Sequence, residues 1–250
     1  MKNIIITGAS SGLGAALAER YAAKDVTLGL VGRSQERLAE IATKCRSAGA
    51  DVIFSCIDVR ENIKLVEWLK NFDNQHPVDI VIANAGITYA VNSSMPYEPR
   101  TAIRDIIDTN FIGVVSTINP ILDGMVERGK GHVVVVGSLS AYRGIPLFPA
   151  YAASKAAVRN YYEAIRGPLS KKGVTVTICS PGFFETPMTR NLRQNNQMTL
   201  KYAADKIKIA IDKCKSEIIF PKSHYFGLIL LRLLPAKIAD KIIMKIIGMK

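Results

Sequence analysis

The stretch YAASK places the phenol of Tyr151 and the ammonium of Lys155 four residues apart, in an Ala-rich run continued by Ala156, Ala157 and Val158 that reads as helical. At that spacing two side chains lie one above the other on a single helix face and can share a site. A tyrosine beside a cation is a candidate proton donor and acceptor, but a free phenol, with a pKa of about 10, is poorly tuned to neutral pH. Bringing it to neutrality takes about three pKa units, roughly 4 kcal/mol. A cation about 5 Å away, at an effective dielectric of about 20, contributes on the order of 3 kcal/mol. The spacing therefore assigns most of the tuning to Lys155. Taken alone, the pair also fits a half-buried tyrosine next to a solvated lysine, so the surrounding chain has to decide.

A second constellation, TGASSGLG from Thr7 to Gly14, follows the apolar run NIIIT and opens an amphipathic segment. Gly8, Gly12 and Gly14, with the small Ala9, Ser10 and Ser11, allow a tight turn in which backbone N–H groups approach a phosphate closely. The helix that follows favours negative charge at its N-terminus. Three glycines between a strand and a helix stand where a dinucleotide fold needs them, although the spacing T-G-x-x-x-G-x-G differs from the commoner G-x-G-x-x-G.

These residues need a scaffold, and the periodicity supplies one. The apolar, largely β-branched runs NIIIT, VTLGLVG, DVIFSCI, VDIVIANAG, HVVVVGS, VTVTICSP and EIIF alternate with amphipathic segments, among them 13–23, 35–46, 101–128 and 200–214. Such runs fit strands buried on both faces, and the alternation demands parallel crossovers. The expectation is an α/β fold, a doubly wound (Rossmann) parallel sheet of about seven strands, with chemistry just beyond the carboxyl ends of the strands. With 250 residues, 48% of them apolar and 22% charged, the chain can fill one core. One catalytic domain is expected over 1–223, followed by an apolar, basic helical extension over 224–250. Cys45, Cys56, Cys179 and Cys214 form no C-x-x-C, and His76, His132 and His224 form no ligand pattern with them. A reducing compartment and no metal site follow. The N-terminal apolar run is too short for a signal peptide, so a cytoplasmic setting is expected. The net charge of +12 comes without a nucleic-acid motif or aromatics interleaved with the basic residues, so nucleic acid is not an expected partner.

The T-G-x-x-x-G-x-G turn, in which Leu13 precedes the last glycine, is joined by further stretches that together resemble the short-chain dehydrogenase/reductase family, in its branch of about 250 residues. Asp58 and Val59 match the family's adenine-contacting pair after the third strand. Asn84, Ala85 and Gly86 match the N-N-A-G turn, with Ala83 in place of the first Asn. Asn110 and Gly113 match the N-x-x-G of the long helix. Ser138 lies thirteen residues before Tyr151, the family's interval between its serine and tyrosine, and Tyr151-x-x-x-Lys155 matches its Y-x-x-x-K. Pro181, Gly182 and Thr186 match the P-G-x-x-x-T that meets the nicotinamide. The resemblance extends to about Pro221. It implies an oxidoreductase in which Tyr151 is the acid/base at a carbonyl or alcohol oxygen and Lys155 also holds the nicotinamide ribose. Ser138 then bonds the substrate oxygen and Asn110 anchors a water. It implies cofactor contacts from Gly8, Ser10, Ser11, Gly12, Leu13, Gly14, Asp58, Val59, Asn84, Ala85, Gly86, Tyr151, Lys155, Pro181, Gly182 and Thr186. It also implies a homodimer or homotetramer paired through 101–128 and the helix that starts near Tyr151. Ser140 competes for the role of Ser138, though the interval favours Ser138.

Cofactor choice is expected to be settled after the second strand, where Gly32 and Arg33 replace an acidic residue. Arg33 is expected to clamp a 2′-phosphate with help from Ser34 and Arg37, giving NADP(H) over NAD(H), although the Gly-rich turn carries no basic residue. Ile145, Leu147, Phe148, Phe183, Phe184 and Met188 flank the site without a carboxylate clamp, which points to an apolar carbonyl or alcohol substrate, or equally to core closure over the cofactor. A catalytically silent dinucleotide-binding sensor or scaffold is the alternative function. In the C-terminal extension, Lys237, Asp240, Lys241 and Lys245 share a narrow helical face, with Ile238, Ile242, Ile243, Ile246 and Ile247 over the rest. Peripheral membrane contact through 225–250 is one expectation; packing on the chain's own substrate mouth or on a second subunit is the other.

Overall fold

A computed structural model of the chain describes residues 1–92, 94–182 and 198–247. The first strand, β1 (Lys2–Thr7), carries three consecutive isoleucines because both faces of the sheet are covered. Ile4 and Ile6 join the apolar cluster on one face and Ile5 the cluster on the other. That split is the two-residue side-chain period of a strand. β2 (Val26–Gly32), β3 (Asp51–Cys56), β4 (Ile80–Ala83), β5 (Gly131–Val136), β6 (Val174–Pro181) and β7 (Glu217–Phe220) complete a seven-stranded sheet in the order β3-β2-β1-β4-β5-β6-β7. Every pairing is parallel. This is the doubly wound α/β architecture expected from the alternation.

Leu17 of helix α1 (Gly12–Tyr21), Leu38 of α2 (Gln35–Ser47) and Ile207 of α7 (Leu200–Asp212) fill the Ile4 side of the sheet. On the Ile5 side lie Leu65 and Leu69 of α3 (Asn62–Gln75), Ile118 of α5 (Gly113–Glu127) and Val158 of α6 (Pro149–Ser170). The strand order reverses between β1 and β4, so the turns after these two strands flank the crevice in which this architecture binds ligands.

The helix expected over 101–128 is interrupted. α4 (Arg100–Ile107) leads into a single π turn, Asp108–Ile112, before α5 begins at Gly113. The wider turn carries Asn110 into the interior, where it is fully buried. Gly113 is required at the junction because a Cβ there would lie 2.6 Å from Cγ2 of Val59. Beyond β7 the chain forms α8 (Lys222–Leu233) and α9 (Ala236–Ile247). Among the described residues no helix is long and apolar enough to cross a membrane.

Ile82 is completely buried in β4, whereas Ile63 on α3 is 83% exposed. Ile82→Ala is expected to lower the unfolding free energy in urea by about 2–5 kcal/mol, and Ile63→Ala to change it by less than about 0.5 kcal/mol.

Candidate active site

The turn after β1 is shaped by backbone sterics. Gly8 and Gly12 have φ of 67° and 58°, in the left-handed region that glycine enters without strain. A Cβ on Gly14 would run into the carbonyl oxygen of Gly8, and one on Gly8 would lie 2.9 Å from Cα of Ala85. The turn after β4 is tied to this one. Asn84 Nδ2 donates to the carbonyls of Thr7 at 3.0 Å and Gly8 at 3.4 Å, while Thr7 Oγ1 accepts from the backbone N–H groups of Asn84 and Ala85. Asn84 is thus a brace that holds the glycine turn open. Ser11 stands at the N-cap of α1 with its hydroxyl making no cap hydrogen bond, which leaves both the hydroxyl and first-turn N–H groups available to a ligand. That combination fits a pyrophosphate.

Arg33 follows β2 directly, and its side chain is 60% exposed, 4.0 Å from the carboxylate of Asp58. A Cβ on the preceding Gly32 would touch Ser10 at 3.0 Å, so this corner borders the glycine turn. Ser34 caps α2 by accepting the N–H of Arg37 at 3.4 Å. Asp58 is pinned by Arg60, which bonds both carboxylate oxygens and reaches Asp105 on α4. The Arg60 hydrogen bond is the leading influence that holds the Asp58 carboxyl below the usual range. Val59 is buried against Gly113.

Around Tyr151 the parts converge from three strand ends and one helix. α6 starts at Phe148–Pro149, with proline pre-set for the first helical position. Tyr151 and Lys155 sit on the same face, the ammonium 5.7 Å from the phenol ring centroid. Lys155 is 3% exposed and donates to the Val136 carbonyl at the end of β5 at 2.7 Å. Ser138 lies beside the Tyr151 phenol and favours its charged form. It also accepts from Ser140, at 3.2 Å from the backbone N–H and 2.8 Å from the hydroxyl. Ser140 therefore supports Ser138 from behind. Asn110 spans the gap to β4: its Oδ1 accepts the N–H of Ile87 at 2.7 Å, and its Nδ2 donates to the Ile87 carbonyl at 2.9 Å and to Ser154 Oγ at 3.0 Å. Gly86 lies beside both groups, since a Cβ on it would be 3.3 Å from Asn110 Oδ1 and 3.5 Å from Lys155 Nζ. Pro181 ends β6, and the Gly182 N–H bonds the Phe220 carbonyl at 2.7 Å. Thr186, Phe183, Phe184 and Met188 lie outside the described residues.

The electrostatics differ from the expectation that Lys155 pulls the phenol toward neutrality. Burial pushes the Tyr151 phenol above its ordinary value, with the Ser138 hydroxyl opposing it. Burial also lowers Lys155 to about 8. Neither charged form is solvated here, so desolvation outweighs the attraction between a phenolate and an ammonium.

Glu98 and the Arg60 described above carried no sequence signal. Glu98 is buried and accepts the N–H of Ala150 at 2.8 Å, closing the first turn of α6 under Tyr151. Phe148, expected either beside a substrate or closing the core, is buried at the same helix start, and Ile145 lines a cleft of about 530 Å³ with Tyr142, Ala152, Ala156 and Arg232. None of Ser138, Tyr151 or Lys155 lines that cleft.

The sequence pattern of the family described as short chain dehydrogenase matches residues 2–197. The chain belongs to the short-chain dehydrogenase family. An uncharacterized oxidoreductase of Myxococcus xanthus is 34% identical over 224 residues, covering 88% of this chain and 87% of that protein. The ketoacyl reductase HetN of Nostoc sp. is 31% identical over 225 residues, covering 87% and 78%. Among solved structures, an alcohol dehydrogenase from the archaeon Thermococcus sibiricus complexed with 5-hydroxy-NADP superposes with a TM-score of 0.78 at 25% identity, over 88% of this chain and 96% of that one. The chain is thus an oxidoreductase of the short-chain dehydrogenase family.

The lowered Lys155 makes a stability prediction. Below about pH 8 the lysine is charged in the folded and unfolded chains alike; above it the folded chain loses the proton first, while an unfolded lysine holds it to 10.5. The folded state therefore gains stability from this residue as pH rises from 8 to 10.5. The unfolding free energy of the wild type relative to Lys155→Met is expected to increase by up to about 3 kcal/mol across that window, read from urea melts at each pH.

Proposed function

We propose that the chain is an NADP(H)-dependent oxidoreductase that interconverts a carbonyl and a secondary alcohol on an apolar substrate, with Tyr151 as the acid/base. The observation that carries this reading is the convergence of Ser138, Tyr151 and Lys155 at the ends of β5 and α6, with a buried ammonium 5.7 Å from the phenol ring. The glycine turn, whose backbone leaves no room for a Cβ at Gly14, is the site for a pyrophosphate, and Arg33 beside it is the group for a 2′-phosphate. NADP(H), when bound, supplies the hydride.

The remaining work falls to the chain's own side chains. Ser138 bonds the substrate oxygen and orients it toward the phenol. Tyr151, kept neutral by burial, holds a proton at its Oη for that oxygen, so the resting site is set for carbonyl reduction. Lys155 keeps its charge at neutral pH and steadies the phenolate left after transfer, while its other N–H donors hold ribose hydroxyls. Asn110 fixes the Ile87 turn against α6 beside Lys155. The reading of an apolar substrate draws support from the HetN name, which describes a ketone on an acyl chain as the group reduced by that relative. Such substrates partition into bilayers, which fits membrane contact, one of the two expectations for the C-terminus. A homodimer or homotetramer pairing through α4, the π turn, α5 and α6 fits the exposed Ile103 on α4, Ile112 in the π turn and Tyr161 on α6.

Three outcomes test this reading. Tyr151→Phe is expected to lower kcat for ketone reduction at least ~100-fold while NADPH binding, followed by fluorescence, stays within about twofold. A silent sensor would show no turnover to lose. Arg33→Ala is expected to reduce kcat/KM with NADPH roughly 10- to 100-fold and to leave the value with NADH nearly unchanged. Wild-type kcat/KM for reduction is expected to be level below about pH 7 and to fall above about 8, where Lys155 gives up its proton.

A further inference from the structure

The two C-terminal helices leave an apolar surface uncovered. No residue of α8 is buried, and on α9 only Ala239 and Ile243 are. Phe226, Leu230 and Leu233 on α8 are 64%, 62% and 77% exposed, and Ile238, Ile242 and Ile246 on α9 are 51%, 37% and 71% exposed. These six are over a third of the seventeen large apolar residues that the described chain exposes, and they fall within 21 residues. Scattered exposed apolar residues are ordinary, whereas a cluster of this kind marks a surface that something covers.

The arrangement of charge around that cluster selects the occupant. At 100° per residue, α9 carries three parallel rows: Lys237, Lys241 and Lys245; then Ile238, Ile242 and Ile246; then Ala239 and Ile243, which face the protein. The exposed isoleucines thus run between the packed row and a row of lysines. From 222 to 250 the chain has six basic residues and one acidic residue, Asp240. Asp240 is engaged, bonded to Arg143 at 2.7 Å. A second copy of the chain, paired on this face about a two-fold axis, would set lysine rows against each other with no free carboxylate from this segment between them. An anionic bilayer satisfies both features, because the isoleucine, leucine and phenylalanine side chains enter the headgroup boundary and the lysines meet its negative surface.

We propose that the exposed face of α8 and α9 docks on an anionic lipid bilayer, with Phe226, Leu230, Leu233, Ile238, Ile242 and Ile246 inserted and Lys237, Lys241 and Lys245 at the phosphate level. The helix pair is fastened to the segment that follows Ser138: Arg143 holds Asp240, Tyr225 packs edge-on against Tyr142 with ring centroids 4.9 Å apart, and Arg232 reaches the Tyr142 carbonyl at 3.5 Å. Docking therefore holds the loop bearing Ser138 close to the lipid surface. The proposal does not depend on the oxidoreductase reading, since lipid binding is measured without substrate or cofactor.

The test is co-sedimentation of the full chain with vesicles of phosphatidylcholine alone and of phosphatidylcholine mixed with phosphatidylglycerol, at low and high salt. Wild type is expected to pellet with the anionic vesicles, to do so less at high salt, and to stay in solution with phosphatidylcholine alone. The triple variant Lys237→Glu, Lys241→Glu, Lys245→Glu is expected to lose roughly 100-fold or more in vesicle affinity. The triple variant Ile238→Ser, Ile242→Ser, Ile246→Ser is expected to lose binding at either salt. Both alter exposed positions, and an unchanged circular dichroism spectrum and thermal midpoint establish that the rest of the chain is intact. If the wild type stays in the supernatant with anionic vesicles, or either triple variant pellets as the wild type does, the proposal is overturned. It is likewise overturned if the isoleucine variant turns a dimer into a monomer in sedimentation velocity without changing vesicle binding, because the face is then a subunit interface.

Discussion

An ammonium group with almost no contact with solvent sits 5.7 Å from the ring of a tyrosine, and the arrangement of the site depends on keeping it there. A buried lysine costs free energy unless its charge finds partners. Here the end of β5 offers the Val136 carbonyl, Gly86 gives way by having no side chain, and α6 starts where Pro149 and the Glu98 carboxylate fix its first turn. The desolvation that lowers Lys155 also raises Tyr151, so at neutral pH the phenol keeps its proton beside a charged lysine. A site poised in this way suits proton donation to a carbonyl better than proton removal from an alcohol.

The strand ends gather the remaining parts because parallel strands all present their carboxyl ends to one edge. Asn84 and Thr7 tie the turns after β1 and β4 together, and Asn110 ties the β4 turn to α6 through Ile87 and Ser154. The glycine turn and the Tyr151 region are therefore two halves of one hydrogen-bonded frame. Displacing Asn84 or Asn110 would loosen both.

Much of this was legible in the sequence, for physical reasons that differ from part to part. The alternation of apolar runs and amphipathic segments specified seven parallel strands because each strand must be apolar on both faces, as Ile4, Ile5 and Ile6 show. The proximity of Tyr151 and Lys155 followed from helical spacing alone, and the convergence of Ser138 and Asn110 on them from a resemblance. Glu98 and Arg60 were not legible, because a long-range partner such as Ala150 or Asp105 leaves no periodic trace. The π turn at Asn110 was hidden inside a continuous helical pattern, since one extra residue per turn barely changes the period. The direction of the Tyr151 shift was misjudged because spacing gives the distance between two charges but not their desolvation, and burial decides the sign. The C-terminal pattern left membrane, substrate mouth and partner subunit open; the packing of Ala239 and Ile243 fixes which face of α9 meets the protein.

The account stands most directly on the protonation of Tyr151, which an alkaline ultraviolet titration of the wild type against Tyr151→Phe isolates as a difference spectrum. The phenolate band assigned to Tyr151 in the cofactor-free chain is predicted to stay absent up to pH 10.0, the ordinary tyrosine value, and to emerge only above it. A phenolate band that develops near neutral pH would contradict the claim that burial outweighs the ammonium, and with it the assignment of the resting site as a proton donor.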